Sequence, residues 1–225
     1  MGDLPQSIEI GEEGPREGFQ IEKGPIGTAD KIALVDALSA TGLKHIQVGS
    51  FVSPKLVPGW ADAEAVFAGF RPVEGIEYTA LWFNAAGLKR ALAFRDRLAL
   101  TGSITLSASE AFSRKNLNRD RVGQIEAMRR QTEQHLLANV PVTRIGIMAA
   151  FGCNYGGDIS PGQVVSCIED GLAIARDANI GPTRLSLADT MGWATPVRVS
   201  RLVGAVRNRW PHLELSPRPR HRQCL

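Results

Sequence analysis

Long apolar runs are missing from this chain: none reaches the roughly 18 residues that a membrane-spanning helix requires, so no membrane association is expected. Cysteine is scarce. Cys153, Cys167 and Cys224 are the only three, and their spacing suits neither a zinc ligand set nor a disulfide framework. A soluble protein of the reducing cytoplasm is therefore expected. The first residues, MGDLPQSIEI, lack the basic-then-apolar order of a secretory signal. Charge of one sign is also in short supply, with a formal net charge of +3. That excess is local, because Pro217–Leu225 (PRPRHRQCL) holds Arg218, Arg220 and Arg222 and no acid. A near-neutral remainder argues against nucleic acid as a partner. Histidine is sparse and scattered (His45, His135, His212, His221), with no H-x-H or H-x-x-x-H pair to grip a metal. No glycine-rich phosphate loop follows the first apolar segment, which counts against a doubly wound dinucleotide-binding fold.

What remains is a chain with ample core material, 44% hydrophobic, in which short apolar runs alternate with longer amphipathic ones. Strands are predicted at Ser7–Ile10, His45–Phe51, Ile76–Trp82, Ser103–Ala108, Thr143–Ala150 and Arg184–Ala188, with a seventh at His212–Ser216. Helices are predicted at Thr28–Thr41, Asn84–Arg95, Arg121–Asn139, Ser160–Ala178 and Pro196–Arg209. The first of these stops at Gly42, and the fourth opens on Ser160-Pro161, a capping serine followed by a first-turn proline. Strand-then-helix repeats with long crossovers imply a parallel sheet. Six or seven such units favour an α/β barrel of the (β/α)8 TIM type over an open sheet, incomplete because the last strand or strands are missing. The expected organisation is one barrel domain over residues 1–216 and a basic tail over residues 217–225.

A barrel of parallel strands presents chemistry at the strand C-termini. Collecting the polar residues expected there gives Arg16, Glu17 and Gln20 after the first strand, and Gln47, Ser50, Ser53 and Lys55 after the second. Later strands contribute Asn84, then Ser109, Glu110, Lys115 and Asn116, then Cys153, Asn154 and Tyr155, and finally Asp189 and Thr190. A mixed-charge mouth of this kind suits an anionic substrate and a divalent cation. Plainer readings stand beside it: a surface ion pair for Arg16 and Glu17, a helix cap for Asp189-Thr190, a solvated loop lysine for Lys55, turn packing for Tyr155. Gln47 lies within an apolar strand, where a polar side chain needs a hydrogen-bond partner.

Five segments, in order, resemble the hydroxymethylglutaryl-CoA lyase family: GPREGFQIEK (Gly14–Lys23), SFVSPKLVP (Ser50–Pro58) with Ala61-Asp62, SEAFSRKNLN (Ser109–Asn118), FGCNYGGDIS (Phe151–Ser160) and SLADTMGWAT (Ser186–Thr195). The resemblance implies a divalent-metal-dependent (Mg2+ or Mn2+) retro-aldol cleavage of an acyl-CoA to acetyl-CoA and acetoacetate. It casts Arg16 and Asp189 as catalytic residues and Glu17 as the metal ligand. Gln20, Lys23, Gln47, Ser50, Asn116, Tyr155 and Thr190 fall in segments that line the substrate.

The sequence also departs from the family. Glu17 stands where aspartate is usual, and Gln47 where glutamate is usual. The family's histidine pair belongs at the end of the seventh strand, where Pro217-Arg218-Pro219-Arg220-His221 follows instead, so metal binding is expected to be weakened or lost. Activity impaired by truncation is one expectation; a lyase acting on a different acyl-CoA and a non-catalytic acyl-CoA-binding protein are the others. An unclosed barrel has unpaired strand edges, which leaves room for a homo-oligomer.

Overall fold

The computed structural model describes residues 9–22 and 24–218. The chain divides into two compact units, Met1–Leu100 and Thr101–Leu225. All named strand pairs are parallel.

In the first unit, β1 (Gly11–Glu12), β2 (His45–Ser50) and β3 (Glu77–Leu81) form a sheet in that order. Helices α1 (Gly14–Ile21), α2 (Thr28–Ser39), α3 (Ala63–Gly69) and α4 (Ala85–Leu92) connect or follow these strands, with a 3-10 turn at Pro58–Trp60. β1 lies later than the sequence suggested. It pairs only through Gly11 and Glu12, opposite His45 and Ile46, while Ser7 and Ile8 of the expected strand lie outside the described residues. The arginine-bearing segment after the first strand is helical. Pro15 sits in the first turn of α1, where its fixed φ is already helical and its missing N–H costs nothing. Ile46, Val48, Phe51, Trp60, Val66, Phe67 and Phe70 are buried, and the rings of Phe51 and Phe67 stack at 4.4 Å between centroids.

The second unit carries β4 (Gly102–Ser107), β5 (Val142–Met148), β6 (Arg184–Ala188) and β7 (Glu214–Arg218) in consecutive order. Between them run α5 (Glu110–Leu117), α6 (Arg121–Leu137), α7 (Pro161–Asp177) and α8 (Pro196–Arg209). Caps explain the helix starts. Ser109, Asp120, Ser160 and Thr195 each accept a backbone N–H from the first turn, and Gln163 returns the bond to Ser160 in a capping box. The core gathers Ile104, Leu106, Ile145, Ile147, Leu185 and Leu187 from the strands with Val164, Ile168 and Leu202 from the helices. β7 continues past Ser216 into the expected tail, with Pro217 and Arg218 opposite Leu187 and Ala188. Among the described residues, no helix is long and apolar enough to cross a membrane.

Candidate functional site

Arg16 lies on α1 with its side chain only 12% exposed. Its Nε donates to Gln47 Oε1 at 2.7 Å, Nη2 to Glu13 Oε2 at 2.9 Å, and Nη1 lies 2.6 Å from Glu17 Oε1. This network answers the question posed by Gln47: its strand-borne amide is the acceptor for a guanidinium. A register shift between Gln47 and Gly49 in the β2–β3 pairing interrupts the ladder beside it, the kind of irregularity that re-aims a side chain next to a site. Ser50 is fully buried, its hydroxyl 3.4 Å from the Leu81 carbonyl. Gln20 and Lys55 are exposed. Lys23 lies outside the described residues.

Beneath α1 is a second polar cluster. Lys31, 3% exposed, donates to Gly59 O at 2.5 Å and to Asp62 Oδ1 at 2.6 Å. Thr28 Oγ1 donates to Asp62 Oδ2 at 2.7 Å. The ammonium also lies 5.3 Å from the Trp60 ring centroid, within cation–π range, and Trp60 Nε1 points to Arg16 O at 3.4 Å. Burial pushes the Asp62 carboxyl up, but the hydrogen bonds from Lys31 and Thr28 and the ammonium charge outweigh it, and the carboxyl settles below its ordinary range.

In the second unit, the loops after β5 and β6 interlock. Asp189 is 3% exposed and takes Trp193 N on Oδ1 at 2.7 Å and Ala194 N on Oδ2 at 3.0 Å. Its carboxylate therefore shapes the turn that leads to α8. Thr190 Oγ1 accepts from Ala149 N at 2.8 Å, and Trp193 Nε1 donates to Asn154 Oδ1 at 2.6 Å. Arg198 binds Phe151 O and Asp158 Oδ1 at 2.8 and 2.7 Å. Tyr155 is 47% exposed, with Lys115 Nζ 4.3 Å above its ring. Asn116 is exposed and bonds back to Phe112 O at 3.1 Å.

Cys153, fully buried, has a thiol held below its usual range. Burial alone would raise it, but the Ser109 hydroxyl and the N–H groups of Tyr155, Gly156 and Phe112 favour the thiolate and prevail.

Glu13, Lys31, Trp193 and Arg198 escaped the reading of the sequence, as did the pairing of Lys31 with Asp62. A capping-position glutamate and a mid-helix lysine carry no pattern that marks them. Trp193 and Arg198 fall in or beside a segment that was singled out, so only their partners were hidden. As for a metal, Glu17 is one carboxylate donor and is paired with Arg16. Among the described residues, no three His, Cys, Asp or Glu side chains are placed to share an ion. The described residues do not by themselves fit a divalent cation.

Known proteins match the chain in profile, sequence and backbone. The profile of the HMGL-like family matches residues 7–221. A 3-hydroxy-3-isohexenylglutaryl-CoA/hydroxy-methylglutaryl-CoA lyase of Pseudomonas aeruginosa is 39% identical over 218 residues, covering 95% of this chain and 68% of the relative. The human mitochondrial hydroxymethylglutaryl-CoA lyase is 35% identical, with 94% and 62% covered. The chain thus spans about two-thirds of the length of these relatives. Among solved structures, hydroxymethylglutaryl-CoA lyase from P. aeruginosa superposes with a TM-score of 0.83 at 39% identity, covering 95% of this chain and 68% of that one. The Bacillus subtilis HMG-CoA lyase gives 0.82 at 33% identity, with 95% and 68% covered. The α/β fold with parallel sheets matches the TIM-barrel structures of these lyases, of which the chain accounts for a part. On this match of profile, sequence and backbone, the chain belongs to the HMGL-like family, alongside the hydroxymethylglutaryl-CoA lyases.

Proposed function

We propose that this protein is a carbon–carbon lyase acting on a 3-hydroxyacyl-CoA of the 3-hydroxy-3-methylglutaryl type, releasing acetyl-CoA and a keto acid, in a reducing cytoplasm. The observation that carries the reading is the part-buried clamp on Arg16, in a chain whose relatives are named as such lyases. In a retro-aldol cleavage the tertiary hydroxyl gives up its proton to a general base, its oxygen becomes the carbonyl of the keto acid, and the C–C bond breaks. Its electron pair moves into the thioester, and the resulting enolate takes up a proton to become acetyl-CoA. The fixed guanidinium of Arg16 is assigned to the thioester oxygen, where negative charge develops. A preorganised donor there is worth on the order of 100-fold or more in rate.

The family is generally divalent-metal-dependent; a cation would supply Lewis-acid charge stabilisation, and Glu17 would be one of its ligands. The roles assigned here rest on the chain's own groups. Asp189 is proposed to hold the turn after β6 and to present the remaining lone pairs of its carboxylate to substrate. Gln20, Lys23, Gln47, Ser50, Asn116, Tyr155 and Thr190 are proposed substrate contacts.

Two variants of the reading have support of their own. The P. aeruginosa relative is named for an isohexenyl as well as a methyl substrate, which favours an acyl group larger than methylglutaryl. A binding protein without turnover is favoured by Asp189, whose two oxygens already accept backbone N–H groups. One experiment separates them. The chain is assayed with magnesium or manganese for acetyl-CoA release from 3-hydroxy-3-methylglutaryl-CoA and from its isohexenyl analogue, with calorimetric binding in parallel. Release that falls at least 100-fold in Arg16→Lys supports the lyase. Binding without release selects the binding protein, and neither binding nor release rejects both.

A further inference from the structure

We infer that Glu13, at the N-terminal boundary of α1, is a positioning residue for Arg16, and that Gln47 is its neutral counterpart. The inference rests on the proposed role of Arg16 and extends it to the groups that hold its guanidinium.

Glu13 occupies the capping position of α1, yet its carboxylate makes no cap bond. The nearby Gly14 N–H is instead taken by Glu12 Oε1 at 2.5 Å. The Glu13 carboxylate reaches one turn along the helix and accepts from Arg16 Nη2 at 2.9 Å. Of the two carboxylates on the guanidinium, Glu13 is the more enclosed, 28% exposed against 50% for Glu17. A charge-assisted bond of this kind gains strength as water is excluded.

Gln47 completes the hold from the sheet, accepting from Nε at 2.7 Å. As an amide it fixes the guanidinium plane without cancelling any of its charge. An arginine has five N–H donors in a rigid fork, and these three partners engage one on each nitrogen. One donor on each terminal nitrogen remains for an incoming oxygen. The two anchors thus set direction, while Glu17, adjacent in sequence and half exposed, is free to exchange partners. Holding the fork beforehand lowers the cost of ordering it when an acyl group arrives.

The test reads the arginine directly. In chain labelled with 15N-arginine, the Arg16 Nε–H signal is assigned by its loss in Arg16→Lys, and its exchange with water is measured. Slow exchange is expected in the unmodified chain, several-fold faster exchange in Glu13→Gln and in Gln47→Ala, and little change in Glu17→Gln. Glu13→Asp should restore part of the protection. Binding of 3-hydroxy-3-methylglutaryl-CoA should weaken about tenfold in Glu13→Gln, the equivalent of one charge-assisted hydrogen bond, while binding of free CoA stays unchanged. An Arg16 signal in Glu13→Gln indistinguishable from that of the unmodified chain overturns the inference, and so does equal weakening for CoA and acyl-CoA. If the unmodified chain binds no acyl-CoA, the proposed function falls, and the exchange measurement alone decides the positioning role.

Discussion

Replacing Lys31 by methionine tests whether the buried ammonium beneath α1 holds the first unit together. The stem of the side chain keeps its packing in this substitution, because methionine follows a similar path with a flexible apolar chain. What disappears is the charge and its bonds to Gly59 O and Asp62 Oδ1, together with the contact to the Trp60 ring. Removing one partner of a buried ion pair typically costs about 3–5 kcal/mol. The Asp62 side chain is 26% exposed and keeps Thr28 as a donor, so the lower end, about 3 kcal/mol, is expected here. For a chain of this size that corresponds to a melting point lower by roughly 6–12 °C. The effect has a sign in pH. The Asp62 carboxyl lies below its ordinary value of 3.8 in the folded chain. Its contribution is therefore fully present above that value and is lost as the pH falls through the lower folded one. Urea titrations followed by circular dichroism should show the full gap between Lys31→Met and the unmodified chain at neutral pH, closing below pH 3.8. A variant that melts within a degree or two of the unmodified chain, or a gap that widens in acid, refutes the reasoning.

Three further outcomes are expected in the second unit. Asp189→Asn leaves an NH2 group facing one of the two backbone donors, Trp193 N or Ala194 N, and should cost about 1.5–3 kcal/mol in the urea midpoint; no change would mean that the turn does not need the carboxylate. Alkylation mapped by mass spectrometry should reach Cys153 before Cys167. Cys153 is held toward the thiolate, whereas burial and the nearby Asp170 push the Cys167 thiol up to about 12; the reverse order would contradict this. Gly152→Ala should destabilise by about 1–3 kcal/mol, an overpacking cost, because its β-carbon would fall 2.5 Å from the Trp193 ring; thermal melts give the check.

The regular elements were legible because their signals are local. Arg184–Ala188 and Pro196–Arg209 appear with the boundaries expected of them, set by an apolar run and by Thr195-Pro196. Four helical pieces were not read. α1 was hidden by its two glycines, which cost helix stability yet do not prevent it once Pro15 has set the first turn. α5 is mostly polar, and α3 and the turn at Pro58–Trp60 are short, so no apolar stripe at helical spacing marks them. At the site, residue types were legible and partners were not. That Gln47 needed a partner followed from its strand; that the partner is Arg16, 31 residues earlier, depends on tertiary packing. The Lys31–Asp62 pair was invisible for the same reason, since a lone helical lysine reads as solvated until its burial is known.

Gly152 and Trp193 occupy one space between them. The backbone at Gly152 has φ +152, where a side chain is strained in any case, and the indole fills the volume a β-carbon would need. For a lineage carrying this sequence the order of mutation therefore matters. Either residue can change first at a cost, a cavity for the tryptophan or overpacking for the glycine, and each change alters the cost of the other, so the two sites are energetically coupled.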